Sequence, residues 1–151
     1  MRIVRAKPED AGVLSEIAFE AKRQWGYPES WIEGWAETLA ITPAYITSFP
    51  TFAAVADAEI LGFCSIRIDG EEARMEHLWV RTMEQGRGVG RMLFRHCEMI
   101  AKRDGAAVLR IESDPNAEGF YLEMGATAVG RVPAHVAGVE RYLPLMEKSL
   151  D

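Results

Sequence analysis

Three glycines at alternate positions, Gly86, Gly88 and Gly90, stand where a predicted strand passes into a predicted amphipathic helix. Glycines allow backbone amides to approach a ligand without obstruction by side chains. A helix N-terminus adds free N–H groups and the positive end of the helix dipole. Arg87 and Arg91, four residues apart, add positive charge beside this turn. The pattern predicts a site for a phosphate or a pyrophosphate.

Two common phosphate-binding fingerprints are missing from this turn. A dinucleotide fingerprint needs a third glycine at the position that Leu93 occupies. A nucleotide-hydrolysing loop needs a lysine and a hydroxyl residue after its last glycine, but Arg91 and Met92 follow Gly90. The ligand is therefore expected to be neither a bound dinucleotide nor a hydrolysed nucleotide.

The composition limits the class of protein. The chain has 151 residues, of which 48% are apolar and 26% charged, so we expect one globular domain over residues 1–151. Its net charge of −6 argues against a general nucleic-acid binder. No apolar run reaches the roughly 18 residues of a membrane span, and the N-terminal residues lack the apolar run of a signal peptide. We therefore expect a cytoplasmic protein without membrane partners.

The two cysteines, Cys64 and Cys97, have no C-x-x-C spacing. This spacing predicts neither a zinc knuckle nor a disulfide framework. We expect both to be small buried residues in a reducing compartment. No metal is implied.

The apolar periodicity of the chain predicts the element order β-α-α-β-β-β-α-β-α-β-β. This order is typical of an α/β (α+β) fold with a mixed, mostly antiparallel central sheet flanked by helices. The predicted helices cover residues 8–21, 30–39, 89–104 and 120–124, and the chain is expected to be extended at Thr42-Pro43. The predicted strands cover residues 3–4, 51–56, 60–68, 75–82, 108–112, 126–132 and 139–145.

The glycine-rich turn carries a resemblance to a known family. The segment Gln85-Gly86-Arg87-Gly88-Val89-Gly90 resembles the Q/R-x-x-G-x-G/A acetyl-coenzyme A signature of the GCN5-related N-acetyltransferases (GNAT). It follows Leu78-Trp79-Val80, which resembles the family's fourth strand. Downstream, the run from Asn116 to Gly125 resembles the second cofactor motif, N-x-x-x-x-Y-x-x-x-G. The specific match covers Met75 to Ala126, and the element order extends it to the whole chain.

The resemblance implies the GNAT fold and acetyl-coenzyme A as the co-substrate. The backbone of Leu78 and Val80 would pair with the pantetheine arm, and the amide near Leu78 would face the thioester carbonyl. Asn116 would contact the pantetheine or its approach. With Gln85 at the start of the motif, the pyrophosphate would rest on the amides of Gly86, Arg87, Gly88, Val89, Gly90 and Arg91.

The resemblance also suggests the groups that move protons. Tyr121 matches the family tyrosine that protonates or hydrogen-bonds the leaving thiolate. Two neighbours, Glu76 and His77, are candidates for the base, and the two-residue period of a strand predicts that they point to opposite faces. We favour Glu76, acting through water, because it shares its parity with Leu78 and Val80. His77 stays an alternative because histidine titrates near neutrality.

The acceptor pocket is expected between the first two helices and the last hairpin. This region contains Trp25, Tyr27, Trp31, Trp35 and His135. Aromatic faces attract ammonium groups, so these residues fit an apolar or a cationic acceptor. The same aromatic residues also fit an ordinary core.

Together these features predict a GNAT-like enzyme that transfers acetyl directly to a primary amine of a small molecule, without a covalent intermediate. A protein Nα- or lysine-acetyltransferase is one alternative, with a peptide amine as acceptor. A non-catalytic acyl-coenzyme A-binding or sensor module is another, although the presence of Tyr121 and Glu76 favours the enzyme. Exposed edge strands are compatible with a homodimer.

Overall fold

A seven-stranded mixed sheet forms the centre of the protein in the computed structural model, which describes residues 1–151. Its strand order is β1-β2-β3-β4-β5-β7-β6, and only the β4–β5 pair is parallel. The predicted class, a mostly antiparallel sheet flanked by helices, is confirmed. The strands are β1 (Arg2–Arg5), β2 (Thr51–Ala56), β3 (Glu59–Asp69), β4 (Glu72–Val80), β5 (Val108–Glu112), β6 (Thr127–Val136) and β7 (Val139–Ser149).

Six helices connect these strands. They are α1 (Ala11–Arg23), α2 (Glu29–Gly34), α3 (Ala36–Leu39), α4 (Pro43–Ser48), α5 (Val89–Arg103) and α6 (Glu118–Glu123). The main core fills the space between the sheet and α5, where Leu93 and Phe94 are fully buried. A second core lies on the other face, where Leu14 and Ile17 of α1 pack near Phe63 of β3. None of the helices is both long and apolar enough to span a membrane.

The helices before β2 differ from the sequence prediction. The single helix predicted over residues 30–39 is interrupted at Trp35, which separates α2 from α3. The segment predicted to be extended at Thr42-Pro43 instead begins α4. The Thr42 hydroxyl accepts a hydrogen bond from the Tyr45 amide at 3.0 Å, and Pro43 takes the first helical position. Both are standard helix-start signals, so Thr42-Pro43 is the start of a helix.

The last hairpin is longer than predicted. β6 continues to Val136 and β7 to Ser149, with a turn at Ala137-Gly138 where both residues have positive φ. Pro133 marks the place where the predicted strand stopped. A proline is tolerated here because β6 is an edge strand, and an edge strand does not need every N–H for pairing.

The two cysteines are joined. Cys64 on β3 and Cys97 on α5 are fully buried and form a disulfide that ties the helix to the sheet. The prediction of two unpaired cysteines is therefore wrong. The two residues are 33 positions apart, and strand register and helix phase bring them together. The spacing of the cysteines in the sequence reveals neither the strand register nor the helix phase.

The β4–β5 pair holds together over only three residues of each strand. Residues Glu72–Arg74 pair with Val108–Arg110, and beyond them the two strands separate. β5 continues to pair with β7, whereas the rest of β4 keeps only β3 as a neighbour. The second edge of β4 is therefore open from Met75 to Val80.

A β-bulge interrupts β4 beside this opening. His77 pairs with Ser65 and Met75 pairs with Ile66, so Glu76 is an extra residue without a partner on β3. The strict two-residue period used above fails at this point. The prediction that Glu76 and His77 point to opposite faces is wrong, because both contact Tyr45 of α4.

Candidate active site

A cleft of about 480 Å³ lies where β4 and β5 separate. The open edge of β4 forms one wall, the start of α5 closes one end, and α6 forms the opposite wall. Trp25 of the segment after α1 also lines it. The cofactor residues predicted above that line this cleft are Leu78, Val80, Gln85, Gly86, Gly88, Gly90, Arg91, Asn116 and Tyr121.

The turn before α5 presents a series of free amides. Gly86 and Gly88 have φ values of 78° and 84°, a conformation that favours glycine, and the space beside both is open. None of the six backbone N–H groups from Gly86 to Arg91 donates a hydrogen bond within the protein. Successive free amides at a helix N-terminus form a concave anion site. The geometry therefore fits a phosphate or pyrophosphate.

The open edge of β4 offers a second set of unused backbone groups. The Arg81 amide donates to the Leu61 carbonyl at 2.9 Å, so the groups of alternate residues point toward β3. The N–H and C=O groups of Leu78 and Val80 therefore point the other way, into the cleft. The Gln85 side chain reaches the Val80 carbonyl at 3.3 Å. An extended chain that fits the cleft can pair with this edge as an added strand.

Tyr121 lies on α6 with its ring packed among Phe94 and Phe120. Its hydroxyl makes no hydrogen bond to the protein, although the residue lines the cleft. Burial raises the pKa of this phenol, and the negative charge of Asp114 raises it further. The hydroxyl is therefore protonated at neutral pH and free to donate.

Glu76 lines a second cavity of about 440 Å³ on the α4 side of the sheet. Its Oε1 accepts a hydrogen bond from the Tyr45 hydroxyl at 2.8 Å, and its Oε2 lies 3.5 Å from Nε of Arg67. The Tyr45 oxygen in turn lies 2.8 Å from the Ser65 hydroxyl. Because Tyr45 donates its single proton to Glu76, Ser65 donates to Tyr45. These contacts hold the carboxylate in one orientation.

His77 also lines the second cavity, but its ring has a structural partner. The Trp79 indole donates from Nε1 to Nδ1 of His77 at 3.0 Å, so a neutral His77 carries its proton on Nε2. Burial lowers the pKa of His77 to about 4, against a smaller opposite effect of Glu76. His77 is therefore neutral at neutral pH and has no free lone pair.

A buried ion pair lies beside the cofactor cleft. Nζ of Lys22 is 2.7 Å from Oδ2 of Asp114, and both side chains are largely buried. The Tyr27 hydroxyl donates to Asp114 at 2.9 Å, and the Asn116 side chain donates to it at 3.0 Å. Burial alone would raise the pKa of Asp114, but Lys22, the Asn116 backbone amide and the Tyr27 hydroxyl together outweigh it, so the pKa is lowered. At Lys22 burial prevails over the pairing, and Arg141 adds repulsion, so that pKa is lowered too.

The aromatic residues predicted to line an acceptor pocket surround this ion pair. We call Trp25, Tyr27, Trp31, Trp35 and Trp79 the aromatic cluster; neighbouring rings lie 4.9–6.5 Å apart. Its faces are covered by the protein's own cations. Nζ of Lys22 lies 4.0 Å from the Trp35 ring, and the Arg141 guanidinium lies 5.1–5.4 Å from three rings of the cluster. The cluster is therefore not an empty cage for an acceptor ammonium.

His135 lies apart from these residues. It is exposed on β6, whereas the sequence prediction placed it in a loop between two strands. Its neighbour Ala134 pairs with Arg141, whose side chain meets the aromatic cluster, so His135 points to the other face. His135 lines neither cavity.

Several residues at the site were not among the predicted site residues. Lys22, Tyr45 and Arg141 belong to α1, α4 and β7, and no motif marks them. Lys22 follows Ala21, which is buried on α1. A charged residue beside the apolar face of a predicted helix was the one sequence signal for a partly buried lysine. No group of three or more histidine, cysteine, aspartate or glutamate residues is arranged to hold a metal ion.

Comparison with known proteins assigns this architecture. The model of the acetyltransferase (GNAT) family matches residues 14–126. The chain belongs to this family. It is an acyltransferase, and the resemblance seen in its glycine-rich turn is confirmed. No curated protein matches the chain by sequence.

Solved structures of GNAT proteins superpose over nearly the whole chain. A GCN5-related N-acetyltransferase from Rhodopseudomonas palustris is 25% identical, with 98% of this chain and 94% of that chain covered and a TM-score of 0.83. The PaiA N-acetyltransferase from Thermoplasma acidophilum, in complex with coenzyme A, is 21% identical, with 98% of both chains covered and a TM-score of 0.80. YncA from Salmonella typhimurium, with its cofactor acetyl-CoA, is 22% identical, with 100% and 94% covered and a TM-score of 0.75.

The buried imidazole of His77 generates a prediction on stability. Because the folded pKa is about 4 and the ordinary value is 6.5, the unfolded chain takes up this proton first as the pH falls. Stability from this group is complete above pH 6.5 and is lost between pH 6.5 and 4, by about 3 kcal/mol. We expect His77→Gln to lack this loss in urea denaturation across that range.

The exposed histidine provides the control for this measurement. His135→Gln should keep the acid dependence of the wild-type protein. Equal acid dependence in His77→Gln and wild type would contradict the buried, neutral assignment of His77.

Proposed function

We propose that the protein transfers the acetyl group of acetyl-coenzyme A directly to the primary amine of a small molecule. The observation that carries the proposal is the cleft that combines six free amides, from Gly86 to Arg91, with the open edge of β4. The amides suit the pyrophosphate of coenzyme A, and the edge suits the amide groups of its pantetheine arm. The coenzyme A and acetyl-CoA in the Thermoplasma and Salmonella structures support the same choice of donor.

Backbone groups supply most of the proposed donor site. The amides of Gly86 to Arg91 hold the pyrophosphate, and Leu78 and Val80 align the pantetheine. The Leu78 N–H then lies where it can donate to the thioester oxygen as negative charge develops there. Asn116 lines the same cleft, although its amide nitrogen is already engaged by Asp114 and Tyr27. Its proposed role is therefore to shape the approach of the pantetheine.

Tyr121 is the proposed acid. As the C–N bond forms and the C–S bond breaks, the departing thiolate needs a proton. The Tyr121 phenol is protonated, lines the cleft and has no protein partner. It therefore transfers its proton to the departing sulfur or donates a hydrogen bond to it.

Glu76 is the proposed base. An acceptor amine with a pKa near that of lysine, about 10.4, is almost fully protonated at neutral pH, so a proton must leave before attack. Glu76 is held by Tyr45 in a cavity large enough for an acceptor, two residues from Leu78. His77 is less suited because Trp79 occupies its free nitrogen. We therefore assign to His77 the positioning of β4.

One assay distinguishes this function from its alternatives. Release of free thiol from acetyl-coenzyme A is measured with separate panels of amines, polyamines, amino acids and peptides. Activity with small amines supports the proposal, and activity confined to peptides would replace it with a protein acetyltransferase. Binding of acetyl-coenzyme A without thiol release in any panel would indicate a sensor.

Gly88→Leu should weaken acetyl-coenzyme A binding about tenfold or more, because its side chain enters the space of the pyrophosphate and blocks charged hydrogen bonds. Gly105→Leu is the matched control. Gly105, at the far end of α5, also has a positive φ and open space beside it. Both variants should lose about 1 to 2 kcal/mol of stability. Calorimetric dissociation constants that match in the two variants would move the pyrophosphate elsewhere.

Tyr121→Phe should lower kcat by about 10²- to 10⁴-fold, the usual effect of losing a general acid. The dissociation constant of acetyl-coenzyme A should stay close to wild type because the ring remains packed against Phe94 and Phe120. Tyr142→Phe, which changes an exposed tyrosine on β7, should have no effect on kcat. If Tyr121→Phe turned over as fast as wild type at every pH, the hydroxyl would have no role in thiolate departure.

Glu76→Gln should lower kcat/KM by about 10²-fold or more at neutral pH, since the amide keeps the Tyr45 contact but cannot accept a proton. Activity should partly recover as the pH rises and free amine accumulates. Glu37→Gln makes the same charge change in the same cavity and should leave the pH profile unchanged. A wild-type profile for Glu76→Gln, with a deficit in His77→Gln, would transfer the role to His77.

A further inference from the structure

Arg141 is the one cation beside the aromatic cluster that has no carboxylate partner. Lys22 is paired with Asp114, whereas Arg141 makes no ion pair with any residue of the protein. Its single hydrogen bond runs from Nη2 to the Tyr27 hydroxyl at 3.1 Å. A guanidinium has five N–H donors, so four are unused. Lys22, Arg141 and Asp114 together leave one uncompensated positive charge at this place.

The aromatic cluster holds this guanidinium in place. The Arg141 Cζ atom lies 5.1 Å from the Tyr27 ring centre, 5.4 Å from Trp31 and 5.3 Å from Trp35. Three rings around a planar cation fix its orientation, which lowers the entropy cost of binding a ligand to it. The side chain is therefore a preorganised anion receptor.

Arg141 lines neither cavity of the site, but residues next to it line both. Tyr27, which it contacts, also accepts a hydrogen bond from Asn116 at 3.0 Å, and Asn116 lines the cofactor cleft. Along β7, Leu143 lies on the same face as Arg141 and lines the cavity that contains Glu76. A ligand that binds beside Glu76 and extends along β7 past Leu143 would meet Arg141 with its other end.

We propose that Arg141 binds a carboxylate of the acceptor, so that the acceptors are small molecules carrying both a primary amine and a carboxylate. This inference rests on the proposed function and specifies its acceptor class. The planar fork of a guanidinium matches a carboxylate through two parallel hydrogen bonds. Lys22 is already neutralised by Asp114, so one guanidinium is available, which suits a single-charge carboxylate. Polyamines and simple alkylamines lack the group that this receptor binds.

The first test compares matched acceptors with the wild-type protein. Amino carboxylates from the α- to the ε-amino series are each paired with their own carboxamide and decarboxylated amine. For the series member of the right length, kcat/KM should exceed that of its carboxamide by about 10- to 100-fold, mainly through KM. Equal or better activity with the carboxamide would overturn the inference and leave the proposed function standing.

The second test compares variants of Arg141. Arg141→Gln should lower kcat/KM for the carboxylate much more than for the carboxamide, so that the preference for the carboxylate is lost. Arg141→Lys should restore that preference in part. Arg131→Gln is the matched control, because Arg131 is also a hairpin arginine stacked on a ring, 5.2 Å from Tyr142. An equal loss with carboxylate and carboxamide acceptors in Arg141→Gln would indicate a structural role and overturn the inference.

A binding measurement separates this inference from the proposed function. Calorimetry with coenzyme A present should detect binding of the amino carboxylate to wild type and about 10- to 100-fold weaker binding to Arg141→Gln. That result, in a protein that releases no thiol with any amine, would retain the carboxylate site and reject the acetyltransferase reaction. Equal binding to both proteins would reject Arg141 as the receptor.

Discussion

The separation of β4 from β5 is the constraint on which the rest of the site depends. A strand edge inside a sheet normally finds a neighbour, and an open edge in solution invites pairing with other chains. Here three paired residues hold β4 and β5 together, and beyond them the edge of β4 lines a narrow cleft. A cleft of this volume suits one extended small-molecule ligand. The sheet thus presents backbone groups to a small molecule without exposing them to aggregation.

The bulge at Glu76 determines which side chains of β4 face each side of the sheet. Because β4 gains one residue relative to β3, Leu78 and Val80 pack toward the α5 side while His77 and Trp79 contact the α1 and α4 side. Glu76 itself meets Tyr45, so the proposed base faces the second cavity and the open backbone edge faces the cofactor cleft. The single extra residue of the bulge therefore places the proposed base and the proposed cofactor-binding edge on the same strand.

Much of the fold was readable from the sequence because it depends on local signals. The strands at 51–56, 60–68 and 108–112 and the helix after Gly88 follow from alternation, helical periodicity and glycine punctuation, and the structure has them within a few residues. Three features were missed. The disulfide depends on long-range packing, and the bulge at Glu76 depends on pairing with β3. The helix that starts at Pro43 was missed because its six residues are too few to show a period.

The proposed donor and acceptor sites differ in how far sequence reveals them, and the difference has a physical cause. The donor site is made mainly of backbone groups, which any residue supplies, so what marks it is the conformation of the chain. The positive φ at Gly86 and Gly88 favours glycine, so the conformation of the site is visible in the sequence as a glycine pattern.

The proposed acceptor site is made of side chains from distant elements. Lys22 lies on α1 and Tyr27 on the segment after it, whereas Asp114 lies in the turn after β5 and Arg141 on β7. They meet only when the sheet and its helices pack together. Each of them alone resembles an ordinary surface or cap residue. The aromatic cluster, which the sequence analysis considered as an acceptor pocket, instead packs against Lys22 and Arg141, two of the protein's own cations. What such a site selects is set by the charge left uncompensated after the internal pairs are counted, and that count requires the folded structure.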